Sequence, residues 1–185
     1  MIKKRAKQLT FILIILCHLG FLAAIIFEKQ NNYLIFGFLI IALVLLLVTY
    51  KKTPVSAKNH TFEHFLTVAF VFFGAIVTYI LHTSFGFSTV LAASTVGLTI
   101  SFVPNVIKNN AVVNTVPTAV YCGAFVGMTN ASVAPDYVFI ALASVFTGLL
   151  LVGSKDSFHG VGGKLGTLAF GGVVLAFLIT FLLSQ

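Results

Sequence analysis

One short stretch of the sequence has the residue types and spacing of a metal site. His60, Glu63 and His64 lie in the pattern H-T-F-E-H. On a helix the two histidines share one face and are candidate zinc ligands, with Glu63 beside them. The other acidic residues are Glu28, Asp136 and Asp156, and none supplies an evident third ligand. We therefore predict a protein that is not an enzyme and has no cofactor, and rank metal-dependent catalysis third among the functions considered below.

A second group of polar residues interrupts the apolar stretch 112–128, VVNTVPTAVYCGAFVGM. It consists of Asn114, Thr115, Pro117, Thr118 and Tyr121. On a helix, Asn114, Thr118 and Tyr121 form one stripe. Pro117 removes a backbone hydrogen bond and frees a carbonyl one turn earlier. Within a membrane, such a broken helix is tolerated only when it is buried in protein or lines a wet cavity. The stretch therefore predicts a solute path.

Small residues in the same stretch support a different interpretation. Ala119, Gly123 and Gly127 recur at every fourth position, which is typical of a face where two helices pack closely. The polar groups would then only bond neighbouring helices. The preceding stretch, 87–103, is rich in hydroxyls, of which Ser94 and Thr95 are predicted to extend the path. A hydroxyl can also bond a carbonyl of its own helix, so both interpretations stay open.

A glycine-rich loop, 153–166, reads GSKDSFHGVGGKLG. Gly160, Gly162, Gly163 and Lys164 precede an apolar segment, and backbone N–H groups at a helix start can bind an anion. The loop does not match a nucleotide-binding P-loop, because Phe158 and Leu165 occupy required positions. The alternative is a flexible cytoplasmic loop that leads into a closely packed helix.

Seven apolar segments of 16–19 residues must position these groups. They are Leu9–Phe27, Tyr33–Tyr50, Phe65–Leu81, Phe87–Val103, Val112–Met128, Tyr137–Val152 and Leu165–Leu183. Hydrophobic residues make up 59% of the chain and charged residues only 8%, which is too few to cover a water-soluble domain. The lengths suit helices that cross ~30 Å of hydrocarbon. The fold prediction is an all-α, multi-pass membrane protein with seven spanning helices.

The basic residues predict the orientation of these segments. If each segment crosses once, ten of the eleven Lys and Arg residues share one side, and only Lys29 lies on the other. Short basic loops stay in the cytoplasm, so we predict an N-terminus inside and a C-terminus outside, in the cell (inner) membrane. The net charge of +7 then needs no nucleic-acid partner.

The composition changes after the second segment. Residues 1–58 are predicted to form a peripheral two-helix hairpin with a cytoplasmic linker. Residues 59–185, richer in Gly, Ala, Ser and Thr, are predicted to form a five-helix core.

A shift of 74 residues suggests an internal repeat in this core. It aligns Phe65, Ala69, Val71, Phe72, Gly74, Gly86, Leu91 and Gly97 with Phe139, Ala143, Val145, Phe146, Gly148, Gly160, Leu165 and Gly171. The copies start three segments apart, so they would form an inverted repeat of segments three and four with six and seven. Chance identity among common residues is the alternative.

No Asp, Glu, Lys or Arg lies inside any apolar segment, so a path here is neutral and lined by hydroxyls and amides. The leading hypothesis is a channel or facilitator for a small neutral or anionic solute, lined by the fourth and fifth segments. The alternative is a membrane-embedded binding or interaction subunit of a larger complex. The third is a membrane metalloenzyme. Expected partners are the lipid bilayer, a small solute or ion, and further copies of the chain or a partner membrane subunit.

Overall fold

The computed structural model describes residues 2–28, 33–52, 65–106, 113–154 and 163–184, and every regular element in these ranges is helical. The longer helices are α1 (Ile2–Glu28), α2 (Tyr33–Lys52), α3 (Leu66–Thr83), α4 (Thr89–Ser101), α6 (Val116–Gly127), α7 (Tyr137–Gly153) and α8 (Lys164–Leu183). A single turn, α5 (Val103–Val106), follows α4, and a 3₁₀ turn, Val113–Thr115, precedes α6. The all-α prediction is confirmed.

Three helical stretches in the described ranges are long and apolar enough to cross a membrane. They are Leu9–Phe27 in α1, Leu66–Thr83 in α3 and Lys164–Leu183 in α8. Eighteen residues, the shortest of these, rise about 27 Å. Thr89–Asn105 and Tyr137–Gly153 are shorter apolar helices.

The chain divides into two compact units, one that contains α1 and α2 and one that contains α3 to α8. Within the first unit, α1 and α2 contact each other. Within the second unit, α6 is the central helix and contacts α3, α4, α7 and α8. Most of its residues are buried, and Gly, Ala, Val and Cys predominate among them. Small side chains let four helices approach one axis closely.

Glycines create the closest approach in this unit, where α3 crosses α6. A Cβ atom at Gly123 would collide with the Val71 carbonyl oxygen, and one at Gly127 with the Ala75 carbonyl oxygen. From the opposite side, Gly74 lies against the Val120 carbonyl. The predicted packing face of Gly123 and Gly127 is therefore present. Close backbone contact of this kind stabilises helix pairs where water is absent.

The same contacts give the directions of the helices in the second unit. Gly123 lies beside Val71 and Gly127 beside Tyr79, so α3 and α6 run parallel. A Cβ atom at Gly148 near the end of α7 would lie 2.8 Å from the Val68 Cα atom near the start of α3, so these two helices run antiparallel. Thus α3 and α6 run in one direction and α7 runs in the other.

The fifth apolar segment is interrupted before Pro117 and not at Pro117 as predicted. Pro117 lies in the first turn of α6, where its missing N–H has no helical partner to lose. Residues 113–115 form the separate 3₁₀ turn, and the 12-residue α6 is only about 18 Å long. The fifth apolar segment therefore contains a short helix that begins at Val116 instead of a longer helix broken at Pro117.

The two glycines at the centre of the predicted repeat have different neighbours. Gly74 packs on α6, whereas Gly148 packs on Val68 of α3. Gly160, which the repeat pairs with Gly86, lies outside the described residues. The inverted repeat stays a prediction.

Candidate functional site

Four of the predicted path residues line one open groove of about 520 Å³. They are Ser94, Pro117, Thr118 and Tyr121. The groove lies between α4, α6 and the start of α8, and its other lining residues are Gly97, Leu98, Ser101 and Leu165. Helical spacing explains the arrangement, because residues three or four apart share a face of α4 and of α6.

Local hydrogen bonds support the walls of the groove. The Ser88 hydroxyl at the start of α4 accepts a bond from the Leu91 N–H at 3.3 Å, which caps the helix. The Cys122 thiol of α6 donates to the Leu165 carbonyl oxygen of α8 at 3.5 Å. Through this contact the start of α8 lies against α6 at the end of the groove.

The hydroxyls of α4 bond their own helix. Ser94 Oγ donates to the Val90 carbonyl oxygen at 2.6 Å, and Ser101 Oγ donates to that of Leu98 at 2.7 Å. Thr95 Oγ1 donates to the Leu91 carbonyl oxygen at 2.7 Å. Their single O–H donors are therefore used within α4, and only oxygen lone pairs remain for a ligand.

The hydroxyls of α6 differ from those of α4. Thr118 is exposed, and its hydroxyl has no hydrogen-bond partner among the described residues. Tyr121 is 39% exposed, and its hydroxyl likewise has no partner in the described part of the chain. Both groups can donate and accept hydrogen bonds. Among the described residues of the groove, these two hydroxyls are therefore free both to donate and to accept a hydrogen bond.

The remaining predicted path residues lie outside this groove. Asn114 and Thr115 occupy the 3₁₀ turn before α6, where Asn114 is exposed and Thr115 does not cap the helix with its side chain. Thr95 lines a separate cavity of about 190 Å³ between α3, α4 and α6. The stripe predicted from the sequence is thus divided, and Thr118 and Tyr121 form its part within the groove.

The structure describes residues 153–154 and 163–166 of the predicted anion loop. Gly160 and Gly162 lie outside the described residues. Gly163 precedes α8 with φ of 82°, a left-handed conformation that suits glycine. Lys164 Nζ donates to the Ser154 carbonyl oxygen at 2.7 Å. A cation in this place stabilises the C-terminal end of α7.

The metal-site prediction falls outside the described residues, which do not include His60, Glu63 and His64. Among the residues that are described, no group of three His, Cys, Asp or Glu side chains could hold a metal ion. Zinc binding by His60 and His64 stays a prediction.

Gly97 and Leu98 were not predicted as groove residues. The signal for them is the seven-residue interval between Ser94 and Ser101, which places both serines on one face of a helix with residues 97 and 98 between them. Glycine at position 97 also leaves room for the Tyr121 ring, a contact that no local pattern indicates.

Comparison with known proteins adds no assignment to this site. No protein-family model, curated protein or solved structure matches the chain.

Proposed function

We propose that the chain is a multi-pass protein of the cell (inner) membrane that acts as a channel or facilitator for a small neutral or anionic solute. The path follows the groove between α4 and α6. The observation that carries this proposal is the pair of unpartnered hydroxyls, Thr118 and Tyr121, inside a groove with no charged lining residue. A polar group without a partner is costly in an apolar environment, so these hydroxyls need water, a solute or another protein.

The apolar surface supports the membrane location. Large hydrophobic side chains are widely exposed, including Phe65 at 78%, Val138 at 73% and Leu182 at 70%. So many exposed large apolar side chains are unusual on a soluble monomer, and lipid is the solvent that suits them. The parallel α3 and α6 and the antiparallel α7 agree with the proposed N-inside, C-outside order of seven spans. That order places ten of the eleven basic residues in the cytoplasm.

The groove chemistry supports a neutral or anionic solute over a cation. Hydroxyl groups can replace water around an uncharged solute, but no carboxylate lines the groove to offset a positive charge. Pro117 and Thr118 belong to the first turn of α6, which has no side-chain cap. The positive end of the helix dipole therefore adds to the preference for negative charge.

The open side of the groove bears on the number of subunits. A wet path along α4 and α6 needs a second wall, because lipid would otherwise contact the Thr118 and Tyr121 hydroxyls. We assign this wall to another copy of the chain, because most known oligomers of soluble proteins consist of identical subunits.

Solute uptake into vesicles tests the proposal. Purified protein is reconstituted in liposomes, and uptake of urea, glycerol, formate and nitrate is compared with that of protein-free liposomes. We expect faster uptake of at least one probe. Thr118→Val keeps the shape of the side chain and removes one hydrogen bond worth ~1.4 kcal/mol, so it should lower the uptake rate of that probe about tenfold.

Thr180→Val in α8 is the matched control, because the Thr180 hydroxyl already donates to the Ala176 carbonyl oxygen at 2.9 Å and lies outside the groove. It should transport like the wild type. Uptake no faster than in protein-free liposomes for all four probes would overturn the transport proposal.

A second candidate is a membrane-embedded interaction subunit, which the open and partly apolar groove favours. In that case, the groove takes a helix of a different protein. A photo-crosslinking residue at Leu98, on the groove wall, distinguishes the two. Crosslinks between copies of the chain support the proposed oligomer, whereas one stoichiometric crosslink to another membrane protein supports the interaction subunit.

A further inference from the structure

The ring of Tyr121 lies directly against the backbone of α4 at Gly97. A Cβ atom at Gly97 would lie 2.6 Å from Tyr121 Cδ2 and 2.7 Å from Cε2, closer than real side-chain contacts allow. The ring therefore occupies the space that a side chain at position 97 would need. Any residue larger than glycine there must displace the ring.

A second contact holds the ring from its own helix. Phe125 lies one turn further along α6 and meets Tyr121 edge-on, with ring centroids 4.8 Å apart and planes at 62°. Such aromatic pairs contribute ~0.5–1.5 kcal/mol beyond their buried area. Gly97 and Phe125 thus fix two sides of a ring that still lines the groove.

We propose that Tyr121, held against Gly97, forms the size-limiting constriction of the solute path. This inference rests on the transport function proposed above. Tyr121 is the largest side chain that lines the groove, and its rigid ring limits the width there. Gly97 keeps the path open because it leaves room for the Cδ2–Cε2 edge of the ring beside α4. Tyr121 thereby acts as a specificity-determining residue, and Gly97 positions it.

Permeation of solutes of increasing size tests the constriction. Liposomes containing the wild type are compared with those containing Tyr121→Ala or Tyr121→Phe, using glycerol, erythritol and xylitol as neutral probes and formate, acetate and butyrate as anions. Tyr121→Ala should raise the permeability ratio of larger to smaller probes about tenfold, the low end of what a change in pocket size gives. Tyr121→Phe keeps the ring and should keep the ratio.

A double-mutant comparison tests the role of Gly97. Gly97→Ala pushes the ring into the groove, so it should lower permeation of every probe. It should have no effect in the Tyr121→Ala background, where no ring remains to be displaced. Gly166→Ala is the matched control, because a Cβ atom at Gly166 meets no atom within 4 Å.

The outcomes separate the two proposals. A wild type that transports a probe, with a size ratio unchanged by Tyr121→Ala, would overturn the constriction and leave the transport function standing. A wild type that transports none of the probes would overturn both. If Gly97→Ala does not fold, the Tyr121 variants alone decide the inference.

Discussion

At the residue scale, Tyr79 connects two distant parts of the second unit. Its hydroxyl donates to the Ala134 carbonyl oxygen at 3.0 Å, and Ala134 is fully buried. Its ring meets the edge of Tyr137 at 5.1 Å. The Thr83 hydroxyl at the end of α3 donates to the Tyr79 carbonyl oxygen at 2.7 Å. These contacts tie the connection between α6 and α7 to the end of α3.

Removal of the Tyr79 hydroxyl tests this link. Tyr79→Phe leaves the buried Ala134 carbonyl without that donor, so the free energy of unfolding in detergent should fall by about 1–3 kcal/mol. Thr147→Val is the contrasting variant, because the Thr147 hydroxyl is buried and has no hydrogen-bond partner. Thr147→Val should therefore leave the free energy of unfolding unchanged or raise it. Equal stability of Tyr79→Phe and the wild type would show that the bond contributes nothing.

Hydroxyl residues also show how far sequence reasoning reaches at this scale. The sequence places Ser94, Thr95 and Thr118 in apolar segments, but it does not indicate which hydroxyls bond their own helix. That outcome depends on the side-chain rotamer and on the backbone one turn earlier. Ser94 and Thr95 bond α4, whereas Thr118 has no partner among the described residues. The chemistry of the groove therefore required the structure.

At the element scale, α6 shows both what the sequence predicts and what it does not. The four-residue spacing of Gly123 and Gly127 predicted a packing face, and α3 lies against both residues. The start of the helix was not predicted, because proline is compatible with a first turn as well as with a kink. The length of the apolar segment does not distinguish a first-turn proline from a proline at a kink, since residues 112–115 are mostly apolar or small.

The crossing of α3 and α6 gives a direct stability test. Gly123→Ala adds a methyl group against the Val71 carbonyl. The atoms in its way belong to the backbone of α3, which cannot move aside as a flexible side chain can. We expect a loss of ~3 kcal/mol or the failure of the protein to elute as a single species from a sizing column. Gly166→Ala adds the same methyl in open space and should be neutral or stabilising by ~1 kcal/mol. A Gly123→Ala protein as stable as Gly166→Ala would contradict the close crossing.

At the scale of the whole molecule, the number of long helices followed from the sequence, but their arrangement did not. Apolar segments separated by polar residues predict seven long helices, and the described ranges contain seven of at least 12 residues. Which helix is central depends on contacts between distant segments. The short α6 occupies that place, where protein surrounds most of its surface. Its length therefore need not match the ~30 Å of hydrocarbon that a lipid-facing helix must cross.

The proposed orientation concerns the whole chain and can be measured in cells. The proposed order has seven crossings and ten of the eleven basic residues inside, so it predicts a C-terminus outside. Alkaline phosphatase fused after Gln185 should be active, because this reporter folds only outside the cytoplasm, and a fluorescent protein that matures only in the cytoplasm should be dark there. The same reporters fused after Lys155, in a connection predicted to be cytoplasmic, should give the reverse pattern.

Translocation of the Lys-rich N-terminus would oppose the membrane potential, so we expect all molecules to have the same orientation. A fluorescent, phosphatase-inactive fusion after Gln185 in a folded protein would mean an even number of crossings. The seven-span order would then be wrong, although the groove in the second unit would be unaffected.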